Sequence, residues 1–133
     1  MSLFAAFDVA SSGMRTSRKW LDAVSDNISN INTARRTDED AFQSRMIVAQ
    51  ANEYGGAGGV RVAGAVFGDP EGRMVHNPEH PLADEEGMVR MPDIDLGDQM
   101  TQLMIAQRSY QANISVIERA KDAYSQALRL GQR

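Results

Sequence analysis

The last forty residues of this chain carry the feature that most limits its fold. Steps of four and three residues from Leu96 give Leu96, Met100, Leu103, Gln107, Tyr110, Ile114, Ile117, Lys121, Tyr124 and Leu128. Only Gln107 and Lys121 lack an apolar body. A mean spacing of 3.5 residues is the signature of a helix that buries one seam against another helix. Pro92, followed by Asp93 and Asp95 as candidate caps, marks the start. Gly131 marks the stop, with Arg129 and Arg133 beside the negative helix end. Gly97 is the one glycine between those signals, and it falls in the first turn.

The N-terminal segment repeats the pattern. Leu3, Phe7, Ala10, Met14, Ser17, Leu21, Val24, Ile28 and Ile31 step four and three, and only Ser17 is polar. A helix over residues 4–31 follows, about 40 Å long, with Ser2 as its N-cap and Asn32 as a left-handed terminator. Between the two seams the composition shifts. Phe42 to Gln50 and Val60 to Phe67 contain β-branched residues, and Val60, Val62, Gly64 and Val66 alternate as one strand face. Arg73 to His76 and Met88 to Met91 read as two further short strands. Gly55, Gly56, Gly58 and Gly59 form a flexible break, and Pro70, Pro78 and Pro81 punctuate loops. The expected fold is mainly α with a small β-rich insert: two long terminal helices pairing as an antiparallel coiled-coil hairpin. The expected division is 1–33 for the N-terminal helix, 34–91 for the β-rich middle and 92–133 for the C-terminal helix. Both helices would form one discontinuous core.

Composition excludes several function classes. A net charge of −4 gives no reason to invoke nucleic acid or an anionic membrane. The chain has no cysteine, so neither a disulfide framework nor a thiolate metal site is available. No stretch approaches the roughly 20 apolar residues of a membrane span. Residues 1–10 hold no Lys or Arg and already include Asp8, so no cleaved signal peptide is expected. By those signals the chain reads as cytoplasmic, although export without a cleaved signal leaves no such mark.

Few residues offer chemistry. In "HNPEHP", His76 to Pro81, two histidines flank Glu79, with Asp84 nearby. A helical zinc motif needs its histidines one turn apart on one face, and Pro78 and Pro81 forbid that helix. The stretch reads instead as a rigid turn between two strands. "GGAGG" lacks a following Lys-Ser/Thr and opens no helix, so it is no phosphate loop. No nucleophile elbow accompanies the serines. "ARRTDED", from Ala34 to Asp40, reads as a solvated connector with room for an interface ion pair. Arg15, Arg18 and Lys19 are offset by Asp8, Asp22 and Asp26, a solvated face. The expectation is therefore no enzyme, no catalytic residue, no cofactor and no metal.

What remains is interaction surface. "ASSGM", Ala10 to Met14, puts Gly13 among small residues inside a helix, where another backbone can approach closely. Asn27, Asn30 and Asn32 place amides near the helix end, where neighbouring chains could be read for register. The candidate interface residues are Leu3, Phe7, Ala10, Gly13, Met14, Leu21, Val24, Asn27, Ile28 and Ile31 on the first helix. On the second they are Leu96, Met100, Leu103, Gln107, Tyr110, Gln111, Asn113, Ile114, Ile117, Tyr124 and Leu128. Met104, Ile105, Val116, Ala123, Ala127 and Leu130 lie off the seam and would stay partly exposed on a two-helix hairpin, which asks for further partners.

Several stretches also carry a resemblance. The motif from Ser11 to Thr33, "SSGM…LDAVSDNISNINT", resembles the N-terminal motif of bacterial flagellar rod and hook proteins, the axial family. "RSYQANISVI", Arg108 to Ile117, resembles their C-terminal motif, and "VRMPDIDLGDQM", Val89 to Met100, its lead-in. "GVRVAG" and "NPEHPLADEEGMVRMP" narrow the likeness to the C-type subfamily of the proximal rod. The resemblance implies a structural subunit of the basal-body rod, exported largely unfolded through the flagellar type III apparatus without a cleaved signal. It implies terminal helices in the inner coiled-coil core of a helical drive shaft that transmits torque, and a middle region facing outward. The implied partners are copies of itself, other proximal and distal rod proteins, the base adaptor protein and, during secretion, the export apparatus. Neither nucleic acid nor membrane insertion is implied. "ARRTDEDAFQSRM" and "EYGGAGG" depart from the family pattern. Read without the resemblance, the seams also fit a cytoplasmic adaptor that dimerises through its C-terminal helix, and the histidines a metal-assisted hydrolase.

Overall fold

The computed structural model describes residues 2–53, 56 and 58–131. Its elements run α1 (Leu3–Ser29), β1 (Arg45–Ala51), β2 (Val60–Phe67), β3 (Arg73–His76), β4 (Met88–Met91) and α2 (Leu96–Gly131). Two long helices thus enclose, in chain order, an insert of short antiparallel strands. β1 pairs with β2, and β3 with β4, as separate two-stranded sheets. Arg133, the expected C-terminal charge, and Gly55 of the glycine-rich break lie outside the described residues.

The helix ends follow from local chemistry. Ser2 caps α1, its Oγ accepting the Ala5 N–H at 3.1 Å, so one of the free first-turn donors is satisfied. Asp95 caps α2 by accepting the Asp98 N–H at 2.8 Å. The end of α1 corrects the sequence reading. No described non-glycine residue has positive φ, so Asn32 is not a left-handed terminator. Instead the Asn30 side chain donates to the Asp26 carbonyl at 2.9 Å, while Ile31 and Thr33 make tight turns onto Ile28 and Asn30. An amide that bonds its own helix's last carbonyls ends the helix without needing the strained conformation. The first strand also begins three residues later than expected, at Arg45.

The chain divides into two compact units by its internal contacts. One comprises the described residues within Met1–Leu21, Val48–Gly64 and Met104–Arg133; the other comprises Asp22–Ile47 and Ala65–Leu103. The first has a core of small side chains, with Ala10, Ser17, Ala106 and Ala120 buried. In the second, Ala23, Val24, Ala41, Val89 and Pro92 are buried. There β3 and β4 pair in the register Arg73↔Met91 to His76↔Met88, and Val89 of β4 is buried. Gly72 (φ +58°) is required: a Cβ there would overlap the Met91 carbonyl and lie 2.6 Å from the Ala41 Cβ.

Candidate interaction surface

In the first unit the polar residues of the helices find one another. Ser17, the one polar member of the α1 series, is 3% exposed and donates to the Ser109 Oγ at 2.9 Å. A buried hydroxyl without that partner would lose its water bonds for nothing. Gly13 lies against Asn113: a Cβ at position 13 would stand 2.7 Å from both the Nδ2 and the Oδ1 of that amide. Asn113 is itself held by donating to the Ser109 carbonyl at 2.9 Å. Phe4 meets Tyr124 edge to face, with ring centroids 6.2 Å apart.

Ser12 binds the β1–β2 turn. It donates to the Val9 carbonyl at 2.7 Å and accepts the Val60 N–H at 3.0 Å. Gly59, at φ +104°, sits so close that a Cβ would be 2.6 Å from the Ser12 Oγ. The last glycine of the expected flexible break is therefore packed on α1. The "SSGM" stretch has a physical account: Ser12 holds a turn, and Gly13 makes room for an amide.

In the second unit Asn27 is 2% exposed and fully hydrogen-bonded. Its Oδ1 accepts the Arg45 N–H at 2.8 Å, and its Nδ2 donates to the Arg45 carbonyl and the Gln99 Oε1, both at 3.0 Å. Arg90 joins three segments: its guanidinium donates to the carbonyls of Glu71 and Thr37, and its backbone pairs with Arg35. The charged run at 34–40 is thus tied down at Arg35 and Thr37, with a solvent-exposed ion pair between Arg36 and Asp38 at 3.4 Å.

Of the candidate interface residues, Ala10, Val24 and Asn27 are buried within the chain. Leu3, Phe7, Gly13, Met14, Leu21, Ile28, Ile31, Leu103, Tyr110, Asn113, Ile114 and Ile117 are half-buried. Leu96, Met100, Gln107, Gln111, Tyr124 and Leu128 are exposed. The amides of Asn27 and Asn113, expected to reach other chains, bond within this one. The most buried positions of α2, Ala106 and Ala120, are absent from the predicted series. Ala106, Asn113 and Ala120 recur every seven residues, each one place before Gln107, Ile114 and Lys121. The signal was in the sequence as a repeat of small residues, but bulk drew the series to the neighbouring positions.

Many large apolar side chains stay exposed in both units. Phe4 on α1, and Leu96, Met100, Met104, Ile105, Val116, Tyr124, Leu128 and Leu130 on α2, are all exposed. Met46, Val48, Val66 and Phe67 on the first strand pair are exposed as well.

Among the described residues no group of three or more His, Cys, Asp or Glu side chains stands close enough to hold a metal ion. The His80 Nδ1 accepts the Leu82 N–H at 3.1 Å. Asp84 organises the turn before β4, accepting the N–H groups of Met88 at 2.7 Å and Glu86 at 3.1 Å. The Met88 N–H above all holds this carboxyl below the usual carboxylate range; the Thr37 hydroxyl and the Glu86 N–H act in the same direction. A cleft of about 490 Å³ beside the start of α2 presents Arg73, Asp93 and Asp95 but no histidine, serine or cysteine to act as a nucleophile. Among the described residues no helix is long and apolar enough to cross a membrane.

Comparison with known proteins agrees with a surface built for association. Residues 7–35 match the family model described as flagella basal body rod protein. Residues 85–130 match the model for the C-terminal region of the flagellar basal body rod FlgEFG proteins. Relatives named flagellar basal-body rod protein FlgC align along nearly the whole chain. Those of Escherichia coli O157:H7 and Salmonella typhimurium are each 34% identical, covering 99% of this chain and 100% of the relative. That of Borreliella burgdorferi is 30% identical, covering 99% of both.

Proposed function

This chain belongs to the family of flagellar basal-body rod proteins, and from that premise we propose how its surface builds a rod. It is a structural subunit of the flagellar basal body, and it assembles with other rod subunits. This displaces the reading as a cytoplasmic dimerising adaptor. The observation that carries the proposal is the row of exposed Leu, Ile, Met and Val side chains along α2, since exposed apolar side chains in number mark association surfaces. Fully burying one such side chain contributes about 1.5–3 kcal/mol. Several half-exposed ones, covered by neighbouring helices, would drive polymerisation.

Within the subunit α1 and α2 pair as an antiparallel coiled-coil hairpin. Support comes from the order of contacts in the first unit. Phe4 meets Tyr124, Gly13 meets Asn113 and Ser17 meets Ser109, so numbers fall on α2 as they rise on α1. In this reading 1–33 and 92–133 make the core and 34–91 faces outward. The inner seam uses small and polar residues. The bulkier set, with Met100 and Leu128 exposed and Phe7, Met14, Leu21, Ile28 and Ile114 half-buried, offers its remaining surface to other subunits. Copies of this chain, proximal and distal rod proteins and the base adaptor would fill those places, after export through the flagellar apparatus without a cleaved signal. Torque then passes through many helix–helix contacts rather than one joint.

Deleting the coding region tests the reading: cells should be non-motile, with basal bodies lacking a rod. Motile cells with intact rods would refute it. Ile114→Asp, which charges the outer set, should leave secretion intact and stop assembly; normal rods would count against the helical interface.

A further inference from the structure

We infer that Asn27 is the positioning residue that fixes the register of α1 against both β1 and α2. The amide satisfies the N–H and the carbonyl of Arg45 together, at 2.8 and 3.0 Å. That is what a neighbouring strand does for one residue of an antiparallel partner. Arg45 is the first residue of β1, so a helix side chain starts the strand. The second Nδ2 hydrogen reaches the Gln99 Oε1 on α2 at 3.0 Å. Three elements therefore meet at one group, which is 2% exposed and is closed to other chains.

The surroundings explain why a polar group is needed there. Ala23 and Val24, the other buried α1 residues of this unit, are small and apolar. Such contacts discriminate weakly against a slip of about one turn, which brings the same helix face back to its partner. Slippage would leave the Asn27 amide and both backbone groups of Arg45 buried and unpaired, which is heavily penalised. Asp would offer no donor, Leu neither donor nor acceptor, and Gln an amide one methylene too far. Asn27 thus acts on assembly through other residues: register decides where Leu21, Ile28 and Met100 stand on the outer surface. This consequence rests on the rod-subunit reading above.

The chain contains no cysteine, so register can be read by disulfide trapping in the full-length protein. Ser17→Cys with Ser109→Cys reports the native register; Ser17→Cys with Ala112→Cys reports a displaced one. Native trapping should dominate with Asn27 present. Asn27→Leu should lower the native-to-displaced ratio about tenfold, as expected for buried groups left unpaired. Asn27→Asp should lower it too, because a carboxylate leaves the Arg45 carbonyl without its donor. An unchanged ratio in Asn27→Leu overturns the inference. If that variant does not fold, an unchanged ratio in Asn27→Asp does so instead. In cells lacking the gene, normal rods built from a mis-registered Asn27→Leu chain would remove its role in assembly. Failure of the unaltered chain to restore rods would sink the rod reading and leave the trapping result standing.

Discussion

Replacing Gly13 by alanine sets two opposed effects against each other. Glycine inside a helix is about 0.5–1 kcal/mol worse than alanine, because it surrenders more backbone freedom on folding. On helix propensity alone, Gly13→Ala should stabilise. The tertiary structure reverses the sign. A Cβ there would lie 2.7 Å from the Nδ2 and Oδ1 of Asn113 and 2.9 Å from its Cγ. The amide would have to withdraw by several tenths of an ångström while its Nδ2 is held by the Ser109 carbonyl at 2.9 Å. Overpacking costs about 1–3 kcal/mol, and a lost net hydrogen bond about 0.5–1.5 kcal/mol. Gly13→Ala should therefore destabilise by about 1–3 kcal/mol. In an Asn113→Ala background the obstruction is absent, and the same change should stabilise by about 0.5–1 kcal/mol. Urea unfolding of the full-length chain, followed by helical circular dichroism, measures all four corners of this cycle. Equal effects of Gly13→Ala in both backgrounds would refute the reasoning.

Three further outcomes are expected. Gly59→Ala should destabilise by more than about 1 kcal/mol, since φ is +104° and the new methyl would meet the Ser12 Oγ; unfolding midpoints check it, and a neutral result would show that the turn does not rest on α1. Asp84 has a folded-state pKa below its unfolded value, so its contribution is present above the ordinary carboxylate range and is lost as pH falls through the lowered value. Asp84→Asn should flatten that part of the acid-unfolding curve, and an identical curve would exclude Asp84 as a source of acid sensitivity. Residues 121–131 of α2 are exposed throughout, so in the isolated chain their amides should exchange with solvent far faster than those near Ala106. Uniform protection along α2 would contradict that.

Both long helices and the chain order of the strands were legible in the sequence. β2, β3 and β4 fall on the residues whose side-chain types demanded them. The family motifs were legible as well. Burial within the chain follows a different series. Large side chains define the strongest 3.5-residue pattern, and Met100, Ile114 and Leu128 were placed at its centre. The chain instead buries Ala106 and Ala120, with Asn113 against Gly13. A pattern of bulk reports which residues should leave water. It does not say which partner will cover them.

The sequence by itself determined the helices and short strands, the caps at Ser2 and Asp95, and the apolar surplus, since these depend on residues close in the chain. Only the tertiary structure decided that Ser17 would meet Ser109, that Ser12 would hold Val60 and that Asn27 would bind Arg45 and Gln99. Hydrogen bonds between such distant residues are directional and short. Their partners are set by where packing brings the backbone, and a one-dimensional pattern cannot encode that.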